Sequence, residues 1–162
     1  MKFDPSKAVF RSAQDVKDYL APFRAMNKTV VTTNGCFDII HSGHIQYLTE
    51  AAQIGDILVV GVNSDATVGK LKGPERPLQN ENDRVLTIAS LKMVDCAFIF
   101  PEDDPRAFLE IIKPDIHVKG GDYNSDIIER ETVEKNGGRI EIVSFIKGYS
   151  TTNLVKRIKT AG

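Results

Sequence analysis

The chain has no tryptophan and only two cysteines, Cys36 and Cys96, in 162 residues. Two thiols without a C-x-x-C spacing give no disulfide framework and read as reduced groups in a cytoplasmic protein. Long apolar runs are missing too. The longest, Ile57 to Val62, is far short of the roughly 20 residues needed to span a bilayer, so no membrane partner is expected. The start, Met1-Lys-Phe-Asp-Pro5, has neither the apolar stretch nor the small-residue cleavage site of a secretory signal. Charge of one sign is not in excess: 21 Lys and Arg face 22 Asp and Glu, leaving a net charge of −1. Without a basic surplus or stripe, no nucleic-acid partner is expected either. What remains is 41% hydrophobic and 27% charged, with 12 Gly and 7 Pro, which is the composition of one compact domain.

Helix and strand signals alternate along the chain. Ser12 caps a helix carrying Val16, Tyr19 and Leu20, which Pro22 should kink or shorten. The β-branched run Thr29–Thr33 reads as a buried strand broken by Asn34-Gly35. A helix from Gly43, with Ile45, Leu48 and Ala52 on one face, ends near Gly55. Ile57–Val62 is a continuous apolar strand, as expected where helices cover both faces of a parallel sheet. Ser64 caps a short helix through Val68, Lys70 to Gln79 is irregular, and Asn80 caps a helix with Val85, Leu86 and Ala89 inside. Strands follow at Cys96–Phe100, Ile116–Lys119 and Ile140–Val143, separated by helices starting at Asp104-Pro105 and Ser125; a last helix starts at Ser150 or Thr151. Five strands alternating with helices predict an α/β domain with a parallel sheet, whose ligands bind beyond the carboxyl ends of the strands.

The loops at those ends lack the commonest nucleotide fingerprints: there is no G-x-x-x-x-G-K-[ST], no G-x-G-x-x-G and no G-x-S-x-G. The first loop instead reads Thr33-Asn34-Gly35-Cys36-Phe37-Asp38-Ile39-Ile40-His41-Ser42-Gly43-His44 and holds two of the three histidines. Spacing of three at a helix start puts both imidazoles on one side, beside backbone N–H groups that favour anions. This suits phosphate chemistry; a metal pair and a plain polar cap are the alternatives. Lys70-Leu71-Lys72-Gly73 with Arg76 supplies cations that can close over phosphates, although composition alone favours a solvated loop. Lys119-Gly120-Gly121-Asp122 offers a tight turn and a carboxylate for a ribose or sugar hydroxyl, or simply a capped turn. Gly148-Tyr149-Ser150-Thr151-Thr152 presents three consecutive hydroxyls at a helix start, more than a cap requires.

Together these segments resemble the HxGH nucleotidylyltransferases, a superfamily that includes the cytidylyltransferases. His41-Ser42-Gly43-His44 is similar to its signature and Gly148-Tyr149-Ser150-Thr151-Thr152 to its second, Ser-Thr-Thr motif. Thr33–Asp38, Gly61-Val62-Asn63-Ser64-Asp65, Lys72–Pro77 and Val118–Tyr123 resemble the branch that adenylylates D-glycero-β-D-manno-heptose 1-phosphate. The resemblance implies a Rossmann-like fold in a single nucleotidylyltransferase domain over 1–162, with residues 1–28 as an N-terminal helical extension. It implies transfer of AMP from ATP to a sugar 1-phosphate, with His41, His44 and Lys72 as the catalytic set. Asn34, Gly35, Cys36, Phe37, His41, His44, Gly121, Asp122, Tyr149, Ser150, Thr151 and Thr152 would bind the nucleotide. Asp38, Asn63, Lys72, Arg76 and Asp122 would bind the sugar phosphate, and Mg²⁺ would ride on the ATP phosphates. Many relatives follow a sugar kinase domain, for which 162 residues leave no room; a separate sugar kinase and phosphatase, and a homodimer, are expected. Glycerol-3-phosphate cytidylyltransferases carry Thr in place of Cys36 and a different stretch before Ser150-Thr-Thr, which disfavours a CTP-dependent enzyme. A nucleotide-binding regulatory protein is a third reading, against which the intact histidine pair argues.

Overall fold

A computed structural model describes residues 4–121, 126–144 and 150–160. Among them, six strands form one wholly parallel sheet in the order β1-β4-β3-β2-β5-β6. The strands are β1 (Val9–Phe10), β2 (Val30–Gly35), β3 (Ile57–Asn63), β4 (Cys96–Phe100), β5 (Ile116–Gly120) and β6 (Arg139–Val143). Seven helices are interleaved: α1 (Ala13–Ala25), α2 (Ser42–Gln53), α3 (Asp65–Lys72), α4 (Glu81–Ala89), α5 (Arg106–Ile112), α6 (Arg130–Lys135) and α7 (Thr151–Thr160). The sequence pattern predicts five strands. The sixth is β1, inside the N-terminal extension, which pairs with β4 through Val9↔Ala97 and Phe10↔Phe98. Two residues are too few to carry a periodicity.

Alternation along the strands feeds two cores. Val31, Leu58, Val60 and Val62 face α2 and α4 through Leu48, Ala51, Val85 and Ile88. Val30, Ile57, Val59 and Phe98 face the other way, onto Val16 and Leu20 of α1 and Phe108, Leu109 and Ile112 of α5. Helix boundaries follow their caps. The Ser12 and Asn80 side chains accept from Asp15 N (3.1 Å) and Asp83 N (3.0 Å). Pro22 does not end α1, which is anchored by buried Val16 and Leu20 and runs on to Ala25. The predicted short helix at Asp65 also extends past Val68, so Lys70 and Lys72 are helical, with Gly73 (φ +100°) as the C-cap. Ser125, expected as a helix cap, lies outside the described residues, and α6 starts at Arg130.

Strand order reverses around β2: β3 follows it on one side, β5 lies on the other. The carboxyl ends of these three strands form the crevice expected of such a sheet.

Candidate active site

A cavity of about 590 Å³ opens at that crevice, within the range of small-ligand sites. It is lined by Asn34, Gly35, Cys36, Phe37 and Asp38 after β2, His41, Gly43 and His44 at the start of α2, Asn63 at the end of β3, Lys72 and Arg76, and Ser150, Thr151 and Thr152 at the start of α7. Thus most of the sequence-predicted positions converge. Asp122 and Tyr149 lie outside the described residues. Gly121 does not line the cavity; its N–H donates to Val143 O (3.1 Å) at φ +142°, while Lys119 and Gly120 take the lining place.

The two imidazoles stack, with ring centroids 3.9 Å apart. His41 is the residue before the first turn of α2, and its backbone N–H donates to His44 Nδ1 (3.4 Å). With Nδ1 accepting, the neutral His44 ring carries its proton on Nε2. Burial, reinforced by His41, pushes the His44 pKa down to about 4, and burial also lowers that of His41. His44 is therefore a neutral N–H donor at neutral pH, and the pair that caps α2 also faces the cavity. The edge of Phe37 packs on His44 at 5.5 Å between centroids. Phe37 holds a left-handed φ of 48°, uncommon for an aromatic residue, and a Cβ on Gly35 would meet its ring at 3.0 Å. Tyr47 lines the cavity and is held from behind by a 2.6 Å hydroxyl pair with buried Thr33 and by donating to Val118 O (3.1 Å).

The cations divide. Lys70 pairs at 2.7 Å with Asp103 in solvent, whereas Lys72 lines the cavity with no carboxylate partner among the described residues. Arg76 Nε donates to Asp38 Oδ2 (2.6 Å). The Asp38 carboxylate also accepts from the N–H groups of Leu78 and Gln79 (2.9 Å each). Burial alone would raise the Asp38 pKa; the Leu78, Gln79 and Arg76 donors outweigh it and hold the carboxyl below its ordinary value. Asp38, expected to bind the sugar, lines the cavity and also fixes the 76–79 loop. Asn63 is buried at the end of β3. Ser150 Oγ accepts from Asn153 N (3.0 Å) and so caps α7, and Thr151 Oγ1 donates to Ile39 O (3.3 Å).

Sequence reasoning gave no role to Lys119 or Arg84. Lys119 lines the cavity and donates to buried Glu129 (2.6 Å), ten residues away in a segment without a motif. Arg84 is fully buried behind the cavity wall. Its signal was available: it lies one turn before Ile88, on the apolar face of α4. His117, the remaining histidine, is buried in β5 against Thr32 Oγ1 (2.8 Å), apart from the histidine pair. Among the described residues no three His, Cys, Asp or Glu side chains group to hold a metal ion. The donor set facing the cavity suits an anion.

The comparisons agree. The cytidylyltransferase-like family matches residues 32–158. The bifunctional protein HldE of Syntrophotalea carbinolica is 45% identical over 149 residues, 91% of this chain and 30% of that protein. The HldE of Geotalea uraniireducens is 49% identical over 138 residues, 85% of this chain and 28% of that protein. The chain therefore spans less than a third of the length of these curated relatives. The crystal structure of a lipopolysaccharide core biosynthesis protein from Thermoplasma volcanium superposes with a TM-score of 0.63 at 37% identity, covering 76% of this chain and 99% of that one. No described helix is long and apolar enough to cross a membrane. The chain belongs to the cytidylyltransferase-like family of nucleotidyltransferases.

Proposed function

We propose that this chain transfers AMP from ATP to D-glycero-β-D-manno-heptose 1-phosphate, giving ADP-heptose and pyrophosphate. The observation that carries the reading is the His41–His44 pair, with its N–H donor fixed by a backbone hydrogen bond, in one cavity with Lys72. A phosphate oxygen of the sugar 1-phosphate attacks the α-phosphorus of ATP. The bond to the oxygen bridging α and β breaks, and pyrophosphate leaves with the electron pair. No covalent intermediate on the protein is required, so positioning and charge stabilisation supply the catalysis. His44 Nε2–H and the Lys72 ammonium donate to phosphate oxygens whose charge grows as the bond breaks. The N-terminus of α7, with Ser150, Thr151 and Thr152, cradles the outer phosphates. Asn34, Gly35, Cys36 and Phe37 border the nucleotide, and Asn63 and Arg76 lie toward the sugar phosphate. Mg²⁺, when bound with ATP, would supply charge neutralisation at the phosphates. A kinase activity and a phosphatase activity would supply the sugar 1-phosphate, and a homodimer is the expected assembly.

The choice of ATP and heptose rests on the Asn34-Gly-Cys-Phe-Asp38 and Lys119-Gly-Gly-Asp122 resemblance. It is tested by a pyrophosphate-release matrix of ATP, CTP, GTP and UTP against heptose 1-phosphate, glycerol 3-phosphate and ethanolamine phosphate. ATP with the heptose should give the highest kcat/KM. A tenfold preference for CTP with glycerol 3-phosphate, about 1.4 kcal/mol in transition-state binding, would replace this reading by the cytidylyltransferase one. Nucleotide binding without turnover of any pair would leave a regulatory binder.

A further inference from the structure

We infer that Arg84, which does not line the cavity, is the positioning residue that aims the His44 wall of the site at the reacting phosphate. The inference rests on the nucleotidyl-transfer reading above. Arg84 lies in α4 with none of its surface exposed. Its guanidinium reaches three segments: Nη1 donates to Cys36 O (2.5 Å), Nε to Gln79 O (3.0 Å) and Nη2 to Asp65 Oδ1 (2.8 Å). These belong to the loop after β2, to the loop before α4 and to the first residue of α3. A planar fork of fixed donors can hold three acceptors in one geometry; a lysine ammonium cannot match it.

The held segments are the ones that carry the chemistry. Cys36 precedes Phe37, whose left-handed backbone persists only if its neighbours hold it. They do so on both sides: Arg84 grips the Cys36 carbonyl, and the Asp38 carboxylate is bound by Arg76 and by the N–H groups of Leu78 and Gln79. Gln79 closes the circuit, giving its carbonyl to Arg84 and its side-chain amide to Asp38 O. Phe37 in turn packs its edge on His44. On the third arm, Asp65 begins the helix that ends at Lys72. One buried side chain thus sets the loop beside His44 and the helix that delivers Lys72. A charge buried so completely is weak evidence for stability, because desolvation offsets most of what the pair gains. Its value lies in the geometry it fixes.

The test is Arg84→Lys, which keeps the charge and loses the fork, in the full-length protein. kcat should fall at least tenfold, with ATP affinity by calorimetry within threefold of wild type. A second readout needs no substrate. In ¹⁵N-histidine NMR the His44 titration midpoint should rise from about 4 toward 6.5 as water reaches the ring through the loosened loop. The charged and titratable groups that share its cavity, namely Cys36, Asp38, His41, Tyr47, Lys72, Arg76 and Lys119, are unchanged in the variant, so the shift reports solvent access. A folded variant in which either kcat or the midpoint stays native overturns the inference. If the wild type releases no pyrophosphate, the functional reading fails while the midpoint still decides for or against Arg84. If Arg84→Lys does not fold, Asp65→Asn, at a half-exposed site, weakens one arm alone. Its kcat should drop about threefold, and native values for both kcat and midpoint overturn the inference.

Discussion

Two walls flank the His41–His44 pair, and they are held to different degrees. The wall made by residues 36–38, 65 and 76–84 is tied by Asp38 and Arg84 through buried charged hydrogen bonds. The opposite wall is α7, which has no buried residue. Among the described residues, beyond its own cap it is linked by the Thr151–Ile39 bond and an exposed Lys159–Glu75 pair at 3.3 Å. On the proposed function, the difference follows the work each wall would do. Donors that meet charge developing in a transition state must be aimed before the reaction, so the protein fixes them itself. A helix N-terminus that cradles resting phosphates is completed by the anion it binds, and needs less support beforehand.

The largest expected effect tests the aimed wall. His44→Ala should lower kcat by about 10²–10³-fold, typical of one lost charge-stabilising donor, and barely alter ATP affinity. Steady-state pyrophosphate release with calorimetry measures both; native kcat would remove His44 from the reaction. Next, Asp38→Ala should cost about 3 kcal/mol in a denaturant titration, since it strands Arg76 and two backbone N–H groups. A loss near zero would mean the first wall is no better tied than the second.

Two histidines, one buried in the core and one lining the cavity, make stability depend on pH. Burial pushes His117 down to about 3 and His44 to about 4, while in the unfolded chain each titrates near 6.5. Below 6.5 the unfolded state therefore binds protons that the native state refuses, and stability falls as pH drops, until the native groups titrate as well. His117 alone should account for about 2 kcal/mol of that loss at pH 5. His117→Leu should flatten the slope, and an unchanged slope would assign it to other groups. Smaller still, Lys72→Ala should reduce kcat/KM about tenfold, near 1.4 kcal/mol, and Lys70→Ala much less. Equal, near-native rates would make this segment mere solvated surface. Smallest is Lys159→Ala, which should shift stability by no more than about 0.5 kcal/mol. A larger change would show α7 to be as firmly held as its counterpart.

Legibility followed the range of the interactions. The central strands were readable because Ile57–Val62 is apolar on both faces and Thr29–Thr33 is a β-branched run, both local properties of the chain. The His41–His44 spacing, the capping residues and the Ser-Thr-Thr start of α7 are equally local. The loop-fixing bonds of Asp38 were not legible, because an aspartate beside a glycine turn looks the same whether or not it also holds a loop 40 residues further on. Arg84 bonds to Cys36 from 48 positions away, and Glu129 reaches Lys119 without a repeat or motif to announce it. The extent of α3 was missed for another reason. Lys70-Leu-Lys72 reads as loop beside Gly73, yet the positive φ of that glycine is what lets the helix continue to its very edge.

The two-residue strand β1 matters for solubility more than for chemistry. It pairs with β4, whose sequence Cys96-Ala-Phe-Ile-Phe100 is uncharged, rich in β-formers and free of proline, the kind of segment that recruits other chains when its backbone is open. Val9 and Phe10 occupy that edge, and the far edge of the sheet, β6, carries Arg139 and Glu141 instead. The sheet is thus guarded against self-association by cover on one side and by charge on the other. A chain trimmed to residue 13 would keep every cavity-lining group and lose the cover.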